Sequence, residues 1–529
     1  MDYRRSLAEN FVQVEVGQHD YRRFLAAGSG PVGEGGPILL GALELAYNKG
    51  PWVEPENLGK LNAVLRLSSG TPDKGWAATA MAYESRWTAT DQVARRAIDS
   101  GLIGRFGTLD PTAGGKTRRA SLSGEWANTD AAGRSRANVY FIDASLDLFS
   151  DFTYALDNPA RGDQFEQAEH RKVFGLAASR SWNMTLGGRD STTTVGLQVR
   201  HDRLDPVGLY GTAARERVAT TQESTVRETS VGVYAENATQ LMPWLRSVVG
   251  VRADRFDFKV DSSIAANSGS KSDSIVSPKL SLIFGPWAKT EYFVNVGTGF
   301  HSNDARGVNA TVTPKEGLPA DPSPGLVRSR GAEVGLRTEI VPGLQTSIAL
   351  WQLKLGSELV FSGDAGDTEA SGASKRTGIE INNHYVAAPW LLFDADLAFS
   401  RARFTEDQGE APNIGRHIPG SVETVASLGA TVTEFGPWFG HLQLRYFGPR
   451  ALIEDDSQRS KATTLTYARV GYKITKDVKV MLTIVGGRVV FVRHALPGEW
   501  VRLRITEVTK RIDPETVAVT EKYYQDAAE

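Results

Sequence analysis

The stretch KRTGIEINNHYVAAPWLLFDADLAFSRARF (Lys375–Phe404) decides the fold. In its second half Leu391, Phe393, Ala395, Leu397 and Phe399 alternate with Leu392, Asp394, Asp396, Ala398 and Ser400. One side is continuously apolar, and the other carries two carboxylates and a hydroxyl. This is the period-two signature of a strand whose faces meet different surroundings. The first half repeats it, with Thr377, Ile379, Ile381 and Tyr385 against Arg376, Glu380, Asn382 and His384. Val386-Ala387-Ala388-Pro389 is a short turn leading to Trp390. Strands of soluble sheets average about six residues. These run to roughly a dozen, enough to cross a bilayer at a tilt. The hairpin predicts a transmembrane β-barrel with apolar side chains toward lipid and polar ones toward a wet lumen.

Composition agrees. The chain has 529 residues, a net charge of −2 and no cysteine. Near-neutral charge gives no global field favouring nucleic acid. Lack of cysteine excludes disulfides, thiolate zinc sites and cysteine nucleophiles. No window approaches eighteen uninterrupted apolar residues, so no helix spans a membrane. The 53 glycines suit many turns.

Along the chain, apolar–polar alternation is interrupted by short and long segments in strict turn. The long ones are Thr88–Lys116, Asp151–Ala168, Arg203–Glu223, Asp261–Asp273, Thr298–Leu326, Gly363–Gly372, Thr405–His417 and Ala451–Thr463. Between them lie short ones such as Thr129–Gly133, Leu241–Pro243, Val386–Pro389 and Glu434–Pro437. An up-and-down barrel needs this asymmetry, with periplasmic turns on one rim and extracellular loops on the other. The count comes to about twenty-one strands before Val485, against twenty-two for the large closed class. Expected domains are a barrel over 1–485 and an atypical C-terminal segment over 486–529.

Met242-Pro243-Trp244, Gly285-Pro286-Trp287, Ala388-Pro389-Trp390 and Gly436-Pro437-Trp438 place an indole at the same point of four short turns. Trp244, Trp287, Trp390 and Trp438 are therefore expected to form an aromatic girdle at one membrane interface. The alternative is four ordinary turn-flanking aromatics. Arg252, Asp254, Arg376, Glu380, Asp394 and Asp396 fall on the polar faces and are candidate lumen residues, expected chiefly to satisfy one another. Catalytic patterns are lacking: no pair of histidines is four apart, and no G-x-S-x-G elbow or Walker A loop occurs. Ser268-Gly269-Ser270-Lys271 matches S-x-x-K by chance, and the acidic runs Asp364–Glu369 and Glu454–Asp456 read as solvated loops. No cofactor and no enzymatic activity are expected.

Three segments, Gly297–Gly307 (GTGFHSNDARG), Ser347–Gly366 (SIALWQLKLGSELVFSGDAG) and Arg445–Ser457 (RYFGPRALIEDDS), closely resemble parts of TonB-dependent outer-membrane receptors. The resemblance covers roughly Asn10 to Val485. It implies a twenty-two-stranded, monomeric barrel in the Gram-negative outer membrane. Such a barrel imports a scarce nutrient such as a siderophore-like metal chelate, with energy from TonB. Its partners would be outer-membrane lipid, TonB and a small ligand the sequence does not name. Three departures are read as truncation at both ends: no recognisable signal peptide, no plug with its TonB box, and no aromatic-ended last strand. Residues 486–507 (GGRVVFVRHALPGEWVRLRITE) resemble the start of a TRAM domain of RNA uracil methyltransferases, but one short basic hairpin makes a poor RNA site. Trp500–Thr506 is expected instead to pair with an open barrel edge. The rival readings are a passive porin-like pore and a soluble all-β structural protein.

Overall fold

The computed structural model describes residues 6–89, 91, 93–362, 367–409, 411–475, 479–485 and 488–490. The chain opens with β1 (Phe11–Gly17), β2 (Tyr21–Pro31), β3 (Ile38–Asn48), β4 (Leu58–Gly70) and β5 (Gly75–Thr88). A loop holding α1 (Arg95–Asp99) leads to β6 (Gly114–Asp130) and β7 (Gly133–Ser150). The longest strands follow: β8 (Phe165–Leu186), β9 (Arg189–Ala213), β10 (Glu216–Met242), β11 (Leu245–Ser262) and β12 (Gly269–Trp287). After β13 (Thr290–Ser302) comes α2 (Ala305–Asn309), then β14 (Leu326–Thr338) and β15 (Leu344–Leu355). The remainder is β16 (Glu358–Ser362), β17 (Asp367–Ser371), β18 (Ser374–Ala388), β19 (Leu391–Gln408), β20 (Gly415–His417), β21 (Thr424–Phe435), β22 (Trp438–Phe447), β23 (Thr463–Lys473), β24 (Lys479–Val485) and β25 (Arg488–Val490).

Among these, β16 and β17 form a loop hairpin of their own, and β20 and β25 are three residues long. The other twenty-one make one antiparallel meander in which each strand pairs with its predecessor. The Lys375–Phe404 hairpin has the expected register: Ile379 faces Phe399, Ile381 faces Leu397, Asn382 faces Asp396 and His384 faces Asp394. Like therefore sits beside like on both faces, the condition for a sheet with one apolar side. Exposed apolar side chains mark that side from strand to strand, including Val249 and Val251 on β11, Val334 on β14, Leu350 on β15 and Leu428 on β21. No helix among the described residues is long and apolar enough to cross a membrane.

Several long segments are corrected. Arg203–Glu223 is not a loop: β9 and β10 run on to a two-residue turn at Ala214-Arg215. The β9–β10 ladder shifts register between Arg217 and Ala219, Thr220 and Gln222, and Ser224 and Val226. Each bulge adds an unpaired residue and swaps the two faces, so alternation breaks while the strand continues. Asp261–Asp273 shrinks to six residues around a 3-10 turn at Ala265–Asn267. Gly363–Gly372 contains β17 rather than a bare loop. At 27 residues, β10 is far longer than a membrane crossing needs. Arg488–Val490 pair with β24, whereas Trp500–Thr506 lie outside the described residues.

Candidate functional site at the mouth of the barrel

The Gly297–Gly307 segment builds one side of the mouth. β13 pairs with β12 only as far as Gly297, opposite Lys279, but stays with β14 up to Ser302. Above Gly297 the two halves of the sheet splay, and side chains bridge the gap. The Arg328 guanidinium donates to the Val276 carbonyl (2.8 Å), and the Asp273 carboxylate accepts from the Leu326 amide (3.0 Å). Phe300 meets Phe256 edge to face at 5.8 Å.

Asp304 then caps α2, accepting from the Arg306 amide at 2.8 Å, while its other oxygen pairs with the Arg306 guanidinium at 2.8 Å. Burial pushes the Asp304 carboxyl up, but the charge and hydrogen bonds of Arg306 outweigh it and hold it below the ordinary range. α2 lays Ala305 and Val308 into a core of Leu204, Val207, Val226, Phe258, Val260, Ile275 and Leu326. Asn267, 1% exposed, locks the following strap. Its carbonyl oxygen accepts from the Thr311 and Val312 amides, and its amide donates to the Val312 carbonyl. A folded core thus stands beyond the apolar band, lined by the upper parts of β9–β12.

A second knot joins three other connections. Gln164, between β7 and β8, donates to Asp110 (2.5 Å) and Thr112 (2.7 Å) and accepts from Thr212 and from the Arg215 amide. The Arg215 side chain reaches the Thr112 and Ala113 carbonyls. Ala214 and Arg215 both have positive φ, as a two-residue hairpin requires, and these bonds offset that strain. Beside the knot, the Asp151 amide donates to Asp91 and the Asp151 carboxylate accepts from the Tyr154 amide. Burial pushes the Asp151 carboxyl up to about 6, opposed by the Tyr154 amide and reinforced by Asp110, Asp163 and Asp91.

The folded loop therefore binds this proton more tightly than the open loop, whose solvated carboxyl titrates near the ordinary 3.8. Closure is strongest below the open-loop value and weakens as pH rises through the window to about 6. Amide exchange across residues 151–164, corrected for intrinsic rate, should be slower at about pH 5 than at about pH 7. Asp151→Asn should erase the difference. Persistence of the pH effect in that variant would assign it to another group.

The expected lumen residues fall on the face opposite the exposed apolar side chains. Arg252 grips Asp254 in a two-pronged pair (2.8 and 2.6 Å), with Asp254 only 4% exposed. A Cβ at Gly232 would lie 2.1 Å from the Arg252 guanidinium, so the pair fills the space glycine leaves. Arg376 holds both oxygens of Glu358 at 2.8 Å. Asp394 bonds His384 at 2.6 Å. Glu380 and Asp396 are exposed and have no side-chain partner among the described residues. The structure does not gather these six into one cluster. They are spread over β11, β18 and β19.

The four tryptophans all lie at short-turn ends of their hairpins. Trp244 and Trp287 approach to 6.1 Å, Trp390 packs on Phe435 at 4.7 Å and Trp438 on Tyr472 at 4.8 Å. No group of three or more ligating side chains suited to a metal ion occurs among the described residues. Sequence reading missed Asn267, Gln164 and the α2 core. Their signal lies in loop contacts remote in sequence, which periodicity does not carry.

With this geometry in hand, comparison with known proteins is direct. The family model described as TonB dependent receptor-like, beta-barrel matches residues 57–486. Among solved structures, the ferric-catecholate import receptor Fiu of E. coli K12 superposes with a TM-score of 0.72 at 11% identity, over 91% of this chain and 77% of that one. The siderophore receptor PiuA of Acinetobacter baumannii gives 0.73 at 12% identity over 91% and 77%. The ferric yersiniabactin uptake receptor FyuA of Yersinia pestis gives 0.68 at 16% identity over 92% and 75%. No curated protein sequence matches the chain. The chain belongs to the TonB-dependent receptor-like β-barrel family, whose members are receptors of the Gram-negative outer membrane.

Proposed function

We propose that this barrel takes up a small metal chelate, siderophore-like in chemistry, driven by TonB, and that its mouth first holds the ligand. The observation that carries the reading is the structured mouth. β9–β12 extend well past a membrane crossing and enclose a buried core around α2. A passive sieve needs no such ordered collar, whereas recognition needs side chains held in fixed positions. The relatives named for siderophore or ferric-chelate uptake support the same ligand class. In this reading the Arg252–Asp254, Arg376–Glu358 and His384–Asp394 pairs line a hydrated lumen, and Glu380 and Asp396 add negative charge to it. Trp244, Trp287, Trp390 and Trp438 sit at the periplasmic interface, and the protein transports rather than catalyses.

The test is equilibrium binding of an iron(III) tris-catecholate to the purified full chain in detergent, followed by quenching of tryptophan fluorescence. Trp52, packed on Phe106 at 6.1 Å in the mouth loops, is a natural reporter. Saturable quenching by the ferric chelate, and much weaker quenching by the iron-free chelator, is expected. Absence of saturation, together with sugar-size-dependent swelling of liposomes carrying the protein, would make it a passive pore instead.

A further inference from the structure

The outward face carries three successive rungs of different chemistry across β14, β15, β18 and β19. Val334, Leu350, Ile379 and Phe399 stand in one register row. One rung nearer the loops come Ala332, Gln352, Thr377 and Arg401. The next rung is Arg330, Lys354, Lys375 and Arg403, directly opposite one another. Like charges facing across a ladder are destabilising. Here four stand side by side over three strand spacings, roughly 14 Å.

Among the described residues, little neutralises them. Arg403 shares Glu423 with Arg459. Arg330, Lys354, Lys375 and Arg401 are exposed, and their side chains make no ion pair or hydrogen bond among the described residues. No carboxylate stands in the three rungs. Below the cations an open groove is lined by Leu350, Ile379 and Phe399, with Arg401 and Arg403 at its lip.

Position along the strand fixes the depth. Leu391 begins the apolar band of β19 beside Trp390, and Arg401 lies ten residues further on. At the usual tilt this separates them by roughly 25 Å along the membrane normal, the height of a barrel's apolar band. The cationic rung therefore stands at the headgroup level of the outer leaflet, with aliphatic and aromatic surface beneath it.

We propose that this patch is a binding site for a phosphorylated lipid of the outer leaflet. Its phosphates bridge Arg330, Lys354, Lys375 and Arg401, and its acyl chains lie over Leu350, Ile379 and Phe399. Phosphate oxygens satisfy several donors at once and cancel the repulsion the ladder imposes. A free phosphate would meet the cations but leave the apolar groove uncovered. An acidic peptide would leave it facing lipid.

Native mass spectrometry of the full chain in neutral detergent tests the assignment. The probes are bisphosphorylated lipid A, its dephosphorylated form and inorganic phosphate. The natural chain should retain the bisphosphorylated lipid. The R330Q/K354Q/K375Q/R401Q variant should retain at least about tenfold less. A control pair at the opposite rim, R189Q/K289Q, should bind as the natural chain does. Heat-modified gel mobility verifies folding. If the fourfold variant fails to fold, K354Q/K375Q alone, at the centre of the rung, should still weaken retention severalfold. Equal retention by natural and variant chains, equal retention of the dephosphorylated lipid, or displacement of the lipid by inorganic phosphate would each overturn the proposal.

Discussion

Replacing Phe258 with alanine should cost about 3–5 kcal/mol of the stability of the mouth, the range for deleting a buried aromatic ring from a packed core. Phe258 is fully buried, stacks on Phe256 at 6.0 Å and sits at the centre of the cluster that receives Ala305 and Val308. Gly325 passes so close that a Cβ there would meet the Phe258 ring at 2.9 Å, so the strap closes directly over it. Because this core stands apart from the apolar band, its loss should be local. Hydrogen exchange in Ala305–Asn309 and in the upper part of β11 should accelerate sharply, while β18 and β19 keep their protection. Under the proposed function, chelate affinity should fall in parallel, because the mouth loses its fixed geometry. Unchanged exchange around α2 would show that the cluster does not hold the loop. Acceleration spreading to β18 and β19 would show that mouth and barrel unfold as one unit.

The membrane-crossing part of this architecture was legible because its physics is periodic. Water on one side and lipid on the other impose alternation on every crossing residue, so Leu391–Ser400 reads as a strand without any tertiary knowledge. The Pro-Trp turns were legible for a related reason, since proline cannot donate to a ladder and, beside an indole at four short turns, marks where the strand turns back. Beyond the membrane that constraint lapses. β9 and β10 continue past their crossing, but bulges at Ala219, Gln222 and Val226 swap their faces, and both surfaces meet protein or water. The chain there looked like a loop. The α2 core escaped for a further reason: Leu204, Phe258, Ile275 and Val308 come from four separate elements, and nothing local marks them as neighbours. Of the lumen candidates, the pairing of Arg252 with Asp254 was within reach, since residues two apart share a face. The pairing of Arg376 with Glu358 was not, because it depends on where the β16–β17 hairpin folds.

Leu397 and Asp396 are neighbours in sequence on opposite faces of β19, and arginine at each should separate two environments in one experiment. Leu397 stands between Ile381 and Ala426 on the face that carries Phe393 and Phe399. Near the middle of the apolar band, arginine on a lipid face costs about 2–4 kcal/mol, because the guanidinium must drag water inward or stretch to the headgroups. Asp396 is exposed and stands between Asn382 and Ser427. Arginine there replaces one hydrated charge with another and should cost less than about 1 kcal/mol. Leu397→Ala separates lost packing from buried charge. Lipid is as apolar as leucine, so that change should cost well below Leu397→Arg. Denaturant titration of the protein folded into vesicles reads all three free energies. Equal penalties for arginine at 396 and 397 would mean that both faces of β19 see the same medium. The division into lipid and lumen would then fail where the sequence states it most plainly.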